Sequence, residues 1–288
     1  MPDPGAHDAL DALDARVLTL LDARDATEVA EGHQARVLRV RRAGGDVIAK
    51  LIDPTMTERA QLEVRVALVE ALADLHPDVC RPLRVGERLV TGIELDGASA
   101  LLVCVELADG RTLDAMDPAD AHRMGVALRD LHVAMRMLPP GPLPTVHAFR
   151  TAPAAVTEGL GPTQLLHGDF STGNLRLTPD GVVRIFDFED CGYGPPELDV
   201  ANAIWMVLFD ALVSGKRAAA SAFRAAFLDG YGGAIDDAGI DRLLDARVDA
   251  LAGWLADLST APIGVRTSSD EWRDTLASVV TAYRALQR

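Results

Sequence analysis

The sequence predicts an α+β chain of two lobes, a small sheet with one helix in front and a larger, mainly helical lobe behind. Three observations carry that expectation. Short alternating apolar runs punctuated by Gly pairs continue only as far as Glu106. From Asp117 onward the apolar residues recur at helical spacing. Within that second stretch, strand-like runs return only over residues 165–188.

Taken in order, residues 7–24 space their leucines and a valine three to four apart, as a helix does. "ARVLRVRRAGGDVIAKLID" reads as two strands, Arg36 to Arg41 and Asp46 to Ile52, joined by an Ala43-Gly44-Gly45 turn. "ERAQLEVRVALVEALADLH" is an amphipathic helix that stops before Pro77. "RPLRVGERLVTGIELDGASALLVCVEL" supplies three more strands, with Asp96-Gly97 as a hairpin signal. "ADGRTLDAMDPAD" is a polar connector, so the front lobe spans 1–106, the joint 107–112 and the rear lobe 113–288. Asp117-Pro118 opens the next helix, and "LPPGPLP" breaks the chain after it. Four late helices are expected, at 196–213, 217–230, 237–258 and 269–287.

Composition narrows the function. The 288 residues are 49% hydrophobic and 25% charged, an ordinary globular balance. No uncharged apolar run of about 18 residues exists, so no membrane span is expected. The acidic start "MPDPGAHDALDALDARV" is unlike a signal peptide, and a cytoplasmic protein is expected. Net charge is −15, with 28 basic against 43 acidic residues, which disfavours nucleic acid as a partner. Cys80, Cys104 and Cys191 match no metal or redox spacing and read as incidental thiols.

The chemistry concentrates in "LLHGDFSTGNLRL". Asp169 is followed by Asn174, and Asp187 ends the alternating run "GVVRIFDF". A hairpin about Thr178-Pro179-Asp180-Gly181 would bring Asn174 and Asp187 to one end, converging with Asp169 on three oxygen-bearing side chains. Phosphoryl transfer needs such a set. A carboxylate orients and deprotonates the attacking hydroxyl, and hard oxygens hold Mg2+, which takes one or two protein ligands and keeps several waters. Ser171 has no base and orienter beside it and reads as a turn hydroxyl.

"HGDFSTGN" followed by "IFDFEDCGYGPPELDVANAIW" resembles the aminoglycoside phosphotransferase family, a branch of the protein-kinase-like fold that also holds choline, homoserine and stress-response kinases. The resemblance implies Asp169 as catalytic base, Asn174 and Asp187 as magnesium ligands, His167 as a structural tie for the loop and Asp199 as its brace. It extends into the front lobe. "VIAK" places Lys50 where the family's phosphate-binding lysine sits, with Glu63 as its expected carboxylate partner and Glu70 as the alternative. "LLVCVELADGRTL" matches the hinge, whose backbone from Glu106 to Ala108 would bind the adenine edge. The nucleotide-covering loop departs from the G-x-G-x-x-G of protein kinases, with a single glycine, Gly32, before His33 and Gln34.

The implied activity is transfer of the γ-phosphoryl group of ATP, with GTP as the other nucleotide to test, to a small-molecule hydroxyl. An aminoglycoside or amino-sugar leads by family label, and a choline, homoserine, sugar or protein kinase follows. A nucleotide-binding pseudokinase is the reading from another class. Acceptor candidates are Glu189 and Asp190 beside the magnesium ligand, Asp257 on the third late helix, and Asp270 and Glu271 opening the fourth. His132 reads as a helix-packing residue, and Trp205, Trp254 and Trp272 as core or groove lining.

Overall fold

The computed structural model describes residues 13–31, 35–95, 98–143, 154–233 and 235–286. They group into two compact units, Met1–Asp109 and Gly110–Arg288. Among the described residues no helix is long and apolar enough to cross a membrane.

The first unit is one antiparallel sheet covered on both faces. A helix over residues 13–20 (α1) leads into strands β1 (Ala23–Glu31), β2 (Ala35–Arg42) and β3 (Val47–Ile52), then helix α2 (Arg59–Leu75) and strands β4 (Pro82–Leu83), β5 (Val90–Leu95) and β6 (Ala98–Glu106). Strand order is β1-β2-β3-β6-β4, with β5 also paired to β6. Period-two alternation sorts the side chains. Leu38, Val40, Val47, Ala49, Leu51, Leu102 and Cys104 face Leu13 and Val17 of α1 and Leu21 just after it. Ala35, Ile52, Leu101 and Val103 face Leu62 and Val66 of α2. The turn after β2 is as expected, Gly45 at φ +107 donating to the Arg42 carbonyl at 3.2 Å.

One expectation is corrected here. The first helix ends at residue 20, not 24, with Asp22 at φ +48, and Ala23–Glu31 is a strand. This edge strand is mostly exposed, so it carries no alternating apolar signal. Pairing with β2 holds it, aided by ion pairs of Arg41 with Asp25 and Arg36 with Glu28. The Asp96-Gly97 hairpin signal lies outside the described residues, although β5 and β6 pair up to Leu95 opposite Ala98.

The second unit is helical around a buried central helix. Its elements are α3 (Pro118–Met135), α4 (Ala154–Thr157), β7 (Gln164–Leu166), β8 (Leu175–Leu177), β9 (Val183–Ile185), β10 (Gly192–Gly194), α5 (Glu197–Ser214), α6 (Arg217–Tyr231), α7 (Asp237–Ala256), α8 (Ile263–Arg266) and α9 (Asp270–Arg284). Asp117 caps α3 through Ala119 N–H at 2.9 Å, with Pro118 in the first turn. α5 packs on α6, α7 and α9, and α3 on α6. The last contact is unusually close because it is made by glycines. A Cβ at Gly125 would lie 2.0 Å from the Phe227 carbonyl oxygen, and one at Gly230 2.0 Å from that of His122.

Strands reach further than expected, since Gly192–Gly194 pairs with β7 although "GYG" reads locally as a turn. Two helix ends also move. α7 stops at Ala256 and α9 at Arg284, with a 3-10 turn and α8 between them. The chain entering the unit is tied to β8 by paired hydrogen bonds between Arg111 and Leu177 of 3.0 and 2.8 Å. Arg111 also grips the buried Asp120 carboxylate through two nitrogens, at 2.6 and 2.9 Å.

Candidate active site

The loop after β7 is held from behind by one buried carboxylate. Asp199, in the first turn of α5, accepts from His167 N–H at 2.8 Å and from Gly168 N–H at 2.9 Å. His132 of α3 binds the same carboxylate through Nε2 at 3.0 Å, and its Nδ1 meets the Tyr231 hydroxyl at 2.9 Å. Burial works against the charged form of Asp199. The His132 bond, the charges of His132 and His167, and the Gly168 N–H outweigh it and hold the carboxyl below its ordinary range. Burial likewise pushes the Tyr231 phenol up to about 12, so it stays protonated.

His167 fixes the next residue. Its Nδ1 accepts from Asp169 N–H at 3.2 Å, which leaves Nε2 carrying the proton toward the Phe186 carbonyl at 3.0 Å. The imidazole is thus a strut with both nitrogens engaged. Gly168 is needed twice over, at φ +87 and with its absent Cβ only 2.0 Å from the Asp190 carbonyl oxygen.

Those ties present the Asp169 carboxylate to two carboxamides. Asn174 Nδ2 donates to Asp169 Oδ2 at 2.9 Å and to the Asp169 carbonyl at 2.8 Å. Asn202 Nδ2 donates to Asp169 Oδ1 at 3.1 Å. The β8–β9 hairpin pairs Leu175 with Ile185, and Phe186 N–H donates to the Asn174 carbonyl at 3.1 Å. Asn174 and Asp187 therefore stand at one end of it, with Asp187 at φ +67, a left-handed conformation that costs a non-glycine residue roughly 1–2 kcal/mol. The donor set fits magnesium. Asn174 turns its amide nitrogen to Asp169 and so offers Oδ1, and Asp187 adds a carboxylate, leaving places for water and phosphate. Among the described residues no three His, Cys, Asp or Glu side chains gather as a metal cluster.

In the first unit, Lys50 lies mid-sheet on β3 between Val37 and Val103, nine-tenths buried. Glu63 is bound by Arg59 one turn back, at 2.8 Å, and Glu70 by Arg84 at 2.6 and 3.0 Å. Glu106 closes β6 by exchanging bonds with Arg81, and Ala108 follows in a stretch without regular secondary structure. Gly32 lies outside the described residues. The three cysteines are buried, and burial pushes the Cys104 thiol up to about 12.

The acceptor candidates scatter. Glu189 is half-buried and Asp190 exposed, its backbone backing Gly168. Asp257 caps the 3-10 turn after α7 by accepting from Ser259, Asp270 pairs with Arg273, and Glu271 sits in the exposed first turn of α9. Two residues near Asp169 escaped the sequence reading. Asn202 had a faint signal, because with Asp199 it places two polar groups one turn apart in a helix that then runs apolar from Ala203 to Phe209. Arg247 on α7 had none. Its guanidinium is pushed down to about 10 by burial, with the Asp169 charge acting against that, and lies 5.6 Å over the Trp205 ring.

Comparisons with known proteins bear on the fold that carries this site. The model of the phosphotransferase enzyme family matches residues 145–246, which include the whole loop, the hairpin and the first half of α7. No curated protein matches in sequence. Among solved structures, a microcompartment-associated aminopropanol kinase superposes with a TM-score of 0.70 at 17% identity, covering 96% of this chain and 97% of its own. A spectinomycin phosphotransferase, in complex with ADP and spectinomycin, gives 0.62 at 13% identity over 96% and 98%. An aminoglycoside 2'-phosphotransferase in its GDP complex gives 0.59 at 12% over 96% and 97%.

Proposed function

We propose, for a chain that is a kinase-type phosphotransferase with the phosphotransferase enzyme family's domain in its second unit, that it moves the γ-phosphoryl group of ATP to a hydroxyl of a small molecule. One observation carries the reading, a carboxylate at the tip of a braced loop held by two carboxamides, one on each oxygen. Asn174 and Asn202 orient the Asp169 oxygens without neutralising them, which is what a proton acceptor for an alcohol requires. The acceptor oxygen bonds to the γ-phosphorus, its proton passes to Asp169, and the bond to the β-phosphate oxygen breaks to release ADP.

Asn174 Oδ1 and the Asp187 carboxylate are assigned to magnesium, which when bound neutralises charge on the phosphates. Lys50 is assigned to the α- and β-phosphates and the Glu106–Ala108 backbone to the adenine. A Glu63 partnership with Lys50 requires that its carboxylate leave Arg59.

The test is nucleoside diphosphate release from Mg-ATP, and in parallel Mg-GTP, across aminoglycosides, amino-sugars, choline, homoserine and neutral sugars, with Asp169→Asn as blank. Release stimulated by an acceptor and absent in the blank supports the transferase. Nucleotide binding with equal slow hydrolysis in both proteins is the pseudokinase result and removes it.

A further inference from the structure

Helix α5 changes character one turn after it leaves the catalytic loop. Asn202, which donates to Asp169 Oδ1 at 3.1 Å, is only 4% exposed. Met206, Phe209 and Val213 follow it at four, seven and eleven residues, the spacing that keeps side chains on one face of a helix. Met206 is 39% and Val213 54% exposed, with Phe209 half-buried between them. Helix α9 widens this strip through Trp272, 44% exposed, whose ring lies 5.7 Å from that of Phe209. Trp205 backs Phe209 from the core at 6.0 Å. At about 1.5 Å of rise per residue, the strip begins beside the base and runs about 10 Å to Phe209 and about 16 Å to Val213.

A contiguous apolar face left to solvent marks a binding surface, and its chemistry selects what covers it. Between Val200 and Ser214 the one charged residue is Asp210, exposed at the flank of the strip. A polycationic acceptor would meet apolar side chains where it needs carboxylates, since Glu197 and Asp199 are buried in the first turn and Asp270 is paired with Arg273. A second protein chain fits no better. Four side chains fall far short of the roughly 20–30 residues a side that a stable protein interface uses. The inner end of the strip is the residue that holds the catalytic carboxylate, so a hydroxyl delivered to Asp169 brings the rest of its molecule to the head of this face.

Resting on the kinase reading above, we propose that Met206, Phe209, Val213 and Trp272 bind the acceptor, and that the acceptor is an alcohol whose apolar body reaches about 10 Å from its reacting hydroxyl. Burial of that body against the strip supplies affinity and sets the hydroxyl on Asp169. Choline, homoserine and a free sugar lack the apolar length to cover it. Specificity then comes from α5 and α9 as much as from the loop.

A homologous series of neutral alcohols tests it. 1,2-Propanediol, 1,2-butanediol, 1,2-hexanediol and 1,2-octanediol share the reacting group and differ only in apolar length. ADP formation from Mg-ATP is measured with each, and binding is titrated by ligand-observed NMR, in the wild type, Met206→Gln, Trp272→Gln and Met137→Gln. Met137 is an exposed methionine just beyond α3, so its variant controls for non-specific apolar binding. In the wild type, kcat/KM and affinity should rise by roughly two- to fourfold per methylene, the gain falling on KM. Met206→Gln and Trp272→Gln should flatten that slope, and Met137→Gln should keep it. A wild-type slope of zero in turnover and binding alike overturns the inference. So does a slope that both strip variants retain, or one that Met137→Gln loses equally. A dimer that Met206→Gln and Trp272→Gln dissociate, read by sedimentation, would give the face to a second copy and overturns it too. Failure of the kinase reading is separate. It shows as ADP formation that Asp169→Asn does not reduce, while the binding slope still reports on the strip.

Discussion

Each oxygen of Asp169 receives one carboxamide, Asn174 on Oδ2 and Asn202 on Oδ1, and the two amides do different work. Asn174 also holds the Asp169 carbonyl, so its loss would loosen the loop itself. Asn202 touches only the carboxylate, which makes it the cleaner probe. A hydrogen bond to a charged group contributes roughly 1.5–3 kcal/mol. Asn202→Ala should therefore lower kcat by about tenfold or more, with nucleotide affinity kept, as steady-state kinetics and a binding titration would read. An equal kcat in the variant would mean that Asn174 alone orients the base. At this scale legibility followed sequence distance. His167, Asp169 and Asn174 fall within eight consecutive residues and announce themselves by spacing. Asn202 reaches Asp169 from 33 residues away, and the Asp169 charge acts on Arg247 of another helix again, a juxtaposition that only the packing of α5 and α7 creates.

Helices α3 and α6 approach through glycines, and that packing positions His132 and Tyr231 for Asp199. Gly125→Ala places a methyl against the Phe227 carbonyl, backbone that cannot rotate away. Overpacking of this kind costs about 1–3 kcal/mol, expected as a lower midpoint in denaturant unfolding. Gly230→Ala should cost a similar amount, and the double variant should depart from additivity because the two sites share one contact. Unchanged stability in both would show that the helices part freely. Elements with their own periodicity were legible in the sequence, including β2, β3, α2, α3 and the long helices after Pro195. Those made by a distant partner were not. β1 has an exposed edge with no apolar alternation, and β10 is a Gly-Tyr-Gly segment that becomes a strand only against β7.

Two buried carboxylates link the fold of the whole chain to pH. Asp199 sits below the ordinary carboxyl range because its hydrogen-bond donors outweigh the opposing effect of burial. Asp120 is lowered first by the Arg111 bond, against the opposing effect of burial. Both values are depressed on folding, so the stabilisation is complete above the unfolded value near 4 and is lost as pH falls below it. Thermal midpoints should hold from neutrality to about pH 5 and drop beneath pH 4. Asp199→Ala, which strands two N–H groups and His132, should destabilise by about 3–5 kcal/mol and flatten part of that acid drop. A variant melting as the wild type does at pH 7 and pH 3 would detach Asp199 from the loop it is said to brace.

The account rests on Asp169 as the residue that takes the acceptor's proton. The most direct measurement is the rate of phosphoryl transfer by Asp169→Asn against the wild type, at saturating Mg-ATP and acceptor, with nucleotide affinity measured on both proteins. The expected result is ATP affinity within about twofold and transfer slower by roughly a hundredfold to ten-thousandfold, because the amide keeps the shape and cannot accept the proton. Transfer at the wild-type rate, with the variant folded and nucleotide bound, would contradict it.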